Sequence, residues 1–159
     1  MFHPDWNEGC TSCSFWADSV DAGIPHLGAR DVAFAVVSRA PLDKLLAYRK
    51  RMAWSFPWVS SAKNSFNFDF EVSFSAEQLE AKRACYNYRE GGNVGAEMPG
   101  MSVFRKGDDG AIYHTYSTFG RGLDTLNPVY QLLDPVPKGR DEAALPYPMD
   151  WVRRHDSYA

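Results

Sequence analysis

The stretch WNEGCTSCSFW, Trp6 to Trp16, places Cys10 and Cys13 three positions apart at the head of an apolar helical pattern. Phe15, Trp16, Val20 and Ile24 continue at the spacing of an amphipathic helix, and Thr11 or Ser12 offers early capping oxygens, so a helix starts at or just after Cys10. A cysteine at a helix N-terminus has its thiolate stabilised by unpaired backbone N–H groups and by the macrodipole. Cys10 is then the candidate nucleophile, and Cys13, one turn further in, the thiol that resolves a mixed disulfide. Two other readings stay open. Half of a zinc site needs two more ligands from Cys85, His3, His26, His114 and His155, with no second CxxC or HxxxH to supply them. Alternatively, the pair is simply two buried, inert thiols. The redox reading is preferred, with no metal and no organic cofactor implied.

Outward from the motif, Pro25 either kinks the helix or starts a second short helical segment, and the apolar run Val32 to Val37 reads as a strand buried on both faces. Pro41 with Leu42, Leu45 and Leu46 predicts a helix over about 41–53. Phe56 to Val59 reads as a short edge strand because of Pro57. Residues 66–74, FNFDFEVSF, alternate as a half-buried strand does, although an aromatic loop or short helix fits too. Ser75 and Gln78 form a capping box for a helix over 75–84. After a glycine-rich loop, Met101–Lys106 and Ala111–Phe119 make a hairpin closed by Gly107-Asp108-Asp109-Gly110. A short helix near 123–133 precedes a proline-rich extension over 134–159. Strands alternating with helices and ending in a hairpin argue for an α/β fold with a mixed sheet and flanking helices.

At 159 residues the chain suits one domain, 1–159, with one substantial core. A net charge of −3 without a long basic block disfavours nucleic acid and anionic membrane surfaces. No apolar run approaches a membrane span, and the first residues lack a signal peptide pattern, so the expected location is cytoplasmic. Three cysteines are too few for a disulfide-built scaffold. Trp6, just ahead of the motif, is a candidate substrate contact. Asp5 and Glu8 are nearby acids that either assist proton transfer or are merely solvated. Arg121 and Arg140 suit an anion or a salt bridge, His114 reads as a strand residue, and Cys85 as a partly buried thiol.

A CxxC opening a helix, then β-α-β, then Pro99 leading into a hairpin and a helix, resembles the thioredoxin fold. That resemblance implies a cis peptide before Pro99, packing of Pro99 against the CxxC, and pairing of the Met98 backbone with a bound substrate strand, so Met98 and Pro99 join Trp6 as substrate-binding candidates. The implied partner is a thiol or disulfide, small or protein-borne. More closely, DWNEGCTSCSFWAD, VSRAPLDKL, FPWVSSAKNSFNFDF, MPGMSVF, YHTYSTFGRGLD, YQLLDPVPKGRDE and PMDWVRRHD resemble the thioredoxin-like family known as domain of unknown function 899, over almost the whole chain. Gly9, where thioredoxins carry tryptophan, and Met98, where a small or β-branched residue is usual before the proline, depart from the thioredoxin pattern, whereas Asn7, where peroxiredoxins carry threonine, makes a peroxidase of that kind less expected than a dithiol oxidoreductase. The rival reading is a non-catalytic thioredoxin-fold module that binds a ligand or partner.

The thioredoxin fold also implies a central strand running into the CxxC loop, and only Met1-Phe2 resembles its end. At about 3.3 Å per residue two residues cannot span a strand, and each buried backbone group left unpaired costs about 1–3 kcal/mol. The expectation is therefore a first central strand that is missing or truncated, with the gap closed by a different sheet arrangement or by a strand supplied in trans within an oligomer.

Overall fold

The computed structural model describes residues 1–158. Its elements are helices α1 (Thr11–Asp21) and α2 (Ile24–Gly28), strand β1 (Val36–Ser38), helix α3 (Leu42–Arg51), strand β2 (Trp58–Ser60), helices α4 (Phe66–Asp69) and α5 (Ala76–Glu80), strands β3 (Cys85–Tyr86), β4 (Arg89–Glu90), β5 (Gly100–Lys106) and β6 (Ile112–Phe119), a 3₁₀ turn (Gly120–Leu126), helix α6 (Pro128–Leu133) and a last 3₁₀ turn (His155–Ser157). This is an α/β chain. It forms two compact units, Met1–Asn67 with the chain from Thr125 onward, and Phe68–Asp124. No helix among the described residues is long and apolar enough to cross a membrane.

In the first unit β1 and β2 pair in parallel, Val36 opposite Trp58 and Ser38 opposite Ser60, with α3 as the crossover between them. Leu45, Tyr48 and Met52 repeat at helical spacing and turn inward, where they meet Phe2, Ala17, Val36, Ala40, Trp54, Phe56 and Trp58 in one core. Three basic residues, Arg49, Lys50 and Arg51, lie in the last turn of α3, where they complement its dipole. Phe2 is fully buried, its ring 5.6 Å from that of Tyr48, and its carbonyl accepts from the Ala40 N–H at 3.1 Å.

The second unit is built on the β5–β6 hairpin, which is antiparallel with an irregularity between Val103 and Phe104. Its turn closes as the Asp-Gly chemistry requires, with Gly110 at φ +82 and the Gly107 N–H on the Ala111 carbonyl. Ser75 accepts from the Gln78 N–H while the Gln78 side chain accepts from the Ser75 N–H, completing the capping box of α5. The glycine-rich region also holds an unanticipated small hairpin, β3–β4, whose turn residues Asn87 and Tyr88 both have φ above +50.

Several expectations change. The strands form three separate two-stranded sheets among the described residues, in place of one mixed sheet. The run 32–37 is not buried on both faces: Asp31 takes a left-handed turn at φ +58, Val32 is exposed, and pairing begins only at Val36, where β2 supplies a partner. Residues 66–74 do not form a strand. The Asn64 side chain accepts the Phe66 N–H and starts α4 instead, Glu71 at φ +51 ends that segment, and only Ser73 makes a bridge, to Glu97. Periodicity of two did not survive these local turns.

Candidate functional site

Cys10 is the N-cap residue of α1, at φ −55 and ψ 129, and its carbonyl accepts the first intrahelical bond, from the Ser14 N–H at 2.9 Å. This extended backbone turns the chain into the helix with the sulfur beside the N-terminal amides. No side-chain hydrogen bond of strict geometry caps the helix, yet the N–H groups of Cys13 and Ser12 still face the Cys10 sulfur closely enough to favour its anion. The larger influence is the Cys13 thiol, which donates to Cys10; together these outweigh burial and lower Cys10 from an ordinary 9.0 to about 6. Cys13 moves the opposite way, because its proton is held by Cys10 and because it is buried. The two thiols are free, Cys10 half-buried and Cys13 buried. One sulfur is thus favoured as thiolate and the other as thiol.

Gly9 is set by packing. A Cβ there would lie 2.7 Å from Tyr48 Cε1 and 3.0 Å from Cζ. The Tyr48 ring cannot retreat, since it meets Phe2, Trp54 and Trp58 edge-on at 5.6, 5.7 and 6.1 Å. A large side chain before Cys10 is therefore excluded by Tyr48. Gly9→Ala should cost about 1–3 kcal/mol as an overpacked contact, read as a lower urea midpoint with an unchanged slope.

The loop is tied from two further places. Arg154, near the end of the chain, donates to the Tyr48 hydroxyl at 2.8 Å and to the Gly9 carbonyl at 2.9 Å, and pairs with Glu8 at 2.9 Å. Arg51 of α3 pairs with Glu8 at 2.6 Å and with Asp156 at 2.7 Å. Asp18 on α1 accepts from Trp54 Nε1 and contacts His155 Nδ1, each at 2.7 Å. Glu8 is thus an ion-pair partner of two arginines, while Asp5 stays exposed beside His3. Trp6 is 38% exposed, leans on His3 at 5.8 Å between ring centroids, and accepts from Lys44 Nζ through its carbonyl.

Met98 and Pro99 belong to the second unit. No described peptide bond is cis, so Pro99 follows a trans bond, contrary to the expectation. The Met98 N–H is already used by the Val72 carbonyl at 2.8 Å, and the Pro99 carbonyl accepts from the Tyr86 hydroxyl at 2.6 Å. The Met98 amide is therefore not free to pair with a substrate strand. Arg140 forms a two-point pair with Asp134 and stacks 4.1 Å from the Tyr130 ring centroid, and His114 packs against Phe70 and Phe104. Cys85 is half-buried, its thiol pushed up by burial and by Glu71. No group of three or more His, Cys, Asp or Glu among the described residues is placed to hold a metal ion.

Sequence reading singled out Cys10 and Cys13 as candidates and did not point to Tyr48, Ser14, Arg154 and Arg51, which the structure brings to the same loop. The glycine before Cys10 was the one local signal that something large packs there; the arginines approach from far along the chain and leave no periodic trace.

The fold and site define an α/β protein with a dithiol at a helix start. The chain belongs to the family described as bacterial protein of unknown function, DUF899, whose model matches residues 1–158. Neither the curated proteins nor the solved structures include a match to it.

Proposed function

We propose that this protein is a thioredoxin-like thiol–disulfide oxidoreductase that works through Cys10 and Cys13. The observation that carries the reading is the opposed state of the two thiols: Cys10 lowered to about 6 at the start of α1, and Cys13 buried and raised. The order of CxxC helix, parallel β-α-β unit, hairpin and helix supports the thioredoxin-like kinship.

The chemistry balances as follows. The Cys10 thiolate attacks one sulfur of a substrate disulfide, a Cys10–substrate S–S bond forms as the substrate bond breaks, and the departing thiolate takes a proton. Cys13 loses its proton and attacks the Cys10 sulfur, so the intramolecular disulfide forms and the second substrate thiol leaves. Two electrons pass to the substrate with two protons, one from Cys13 and one from solvent, where the Cys10 proton had already gone, and a thiol reductant restores the couple. A reducing, cytoplasmic setting suits a dithiol kept ready in this form.

The test is the pH dependence of alkylation of the reduced protein. Cys10 should react first, with a half-maximal rate near pH 6, where an ordinary thiol is only a few per cent thiolate even at pH 7. A midpoint above pH 8, or equal labelling of both cysteines, would sink the reading.

A further inference from the structure

We propose that Arg154 is a positioning residue for Cys10, holding both peptide groups that flank the reactive sulfur: the Gly9 carbonyl directly, and the Cys10 carbonyl through Tyr48 and Ser14. This rests on the thiolate reading of Cys10 and extends it to a residue at the far end of the chain.

Proton bookkeeping gives the chain of hydrogen bonds a direction. Ser14 Oγ has one proton, and it is spent on the Cys10 carbonyl at 2.8 Å. Ser14 Oγ and the Tyr48 hydroxyl lie 3.0 Å apart, so Tyr48 is the donor there. The Tyr48 oxygen in turn accepts from Arg154 Nε at 2.8 Å. The sequence runs one way, from guanidinium to phenol to serine to the Cys10 carbonyl, through groups that are buried at Ser14 and Tyr48. Each donor in such a series is polarised by the one behind it. The same guanidinium reaches the Gly9 carbonyl at 2.9 Å with its other nitrogen, a two-point grip that needs the planar fork of arginine.

The charges around this grip nearly cancel. Glu8 faces both Arg154 and Arg51, and Asp156 faces Arg51. Cys13 also acts on Cys10, while His155 and Asp18 pair with each other on the flank of α1. Arg154 therefore works through orientation more than through net charge. It fixes the peptide planes on either side of Cys10, so that the sulfur stays in front of the Ser12 and Cys13 amides. A structural tie alone would change melting and leave the titration of Cys10 where it was.

The experiment measures the pH profile of Cys10 alkylation, alongside melting curves, in the full-length protein and in Arg154→Gln, Tyr48→Phe and Arg153→Gln. The Arg153 side chain donates only to the Asp150 and Val152 carbonyls among the bonds described, so it reports general loosening of the tail. The midpoint should rise by about half a unit to one unit in Arg154→Gln and Tyr48→Phe, a two- to fivefold slower reaction at about pH 6, and stay put in Arg153→Gln. Unchanged profiles in Arg154→Gln and Tyr48→Phe, with a low wild-type midpoint, overturn the positioning role and leave the thiolate reading intact. An equal rise in Arg153→Gln overturns it as well. A wild-type midpoint above pH 8 removes the thiolate reading itself, and the positioning role with it. Should Arg154→Gln lose cooperative unfolding, Arg154→Lys decides in its place: it keeps the charge but cannot span both acceptors, so a raised midpoint supports the role and an unchanged one overturns it.

Discussion

Cys10→Ser is expected to abolish disulfide reduction, by a factor of about 10³ or more, while Cys13→Ser leaves the first half-reaction and stops at a mixed disulfide. The asymmetry follows from where the two sulfurs lie. Cys10 caps the helix, is half-buried, and has its thiolate favoured by the Cys13 thiol and by two backbone amides. Cys13 is buried, and its proton is held by the neighbouring sulfur. On the proposed function, a substrate disulfide would meet only the first. Once the mixed disulfide forms, Cys10 no longer carries negative charge, so the interaction that held the Cys13 proton is gone and Cys13 becomes easier to ionise. Mass spectrometry of Cys13→Ser after exposure to a small aromatic disulfide should find one adduct, on Cys10. Adducts in equal yield on Cys10 of Cys13→Ser and on Cys13 of Cys10→Ser would contradict the assignment.

Phe56→Ala should cost about 3–5 kcal/mol of unfolding free energy, a large share of the 5–15 kcal/mol by which domains are usually stable. Phe56 is fully buried, stacked on Trp54 with ring centroids 5.3 Å apart, and met edge-on by Phe34 at 5.8 Å. Removing the ring leaves a cavity among large, rigid neighbours that cannot collapse around it. Its neighbours Trp54 and Trp58 are also the rings that brace Tyr48, so the loss reaches the loop that carries Cys10. All five tryptophans, at positions 6, 16, 54, 58 and 151, fall in the first unit, so their fluorescence follows its unfolding alone. The exposed Val59→Ala is the control, with a change within about 0.5 kcal/mol. Similar urea midpoints for the two variants would remove the aromatic cluster as the core that supports the site.

Much of the local structure was legible because its causes are local. The start of α1 at Cys10, the α3 helix after Pro41, the Ser75–Gln78 box and the Asp-Gly hairpin each depend on residues within a few positions of one another, although the inward face of α3 is Leu45, Tyr48 and Met52, with Leu42 and Leu46 of the expected repeat exposed. At 66–74 the alternation pointed to a strand, but the short helix that fitted equally is what forms, because an Asx turn at Asn64 and a left-handed Glu71 are also local and outweighed a pattern that needed a partner strand. The Val32–Val37 run misled for the related reason that burial of a strand is decided by its neighbours.

By itself, then, the sequence determined an α/β chain with a helix opening on a CxxC pair, because helix capping and the effect of a helix start on a thiolate act over one turn. Only the tertiary structure decided how the pair is held. Arg154 reaches Gly9 across 145 positions, and Tyr48 reaches Ser14 across 34, distances over which no periodicity survives. It also decided that Gly9 must be glycine, since the Tyr48 ring occupies the space a side chain would need. Those contacts exist because the aromatic core fixes Tyr48 in one place, and a close-packed interior leaves neither ring nor loop another position to take.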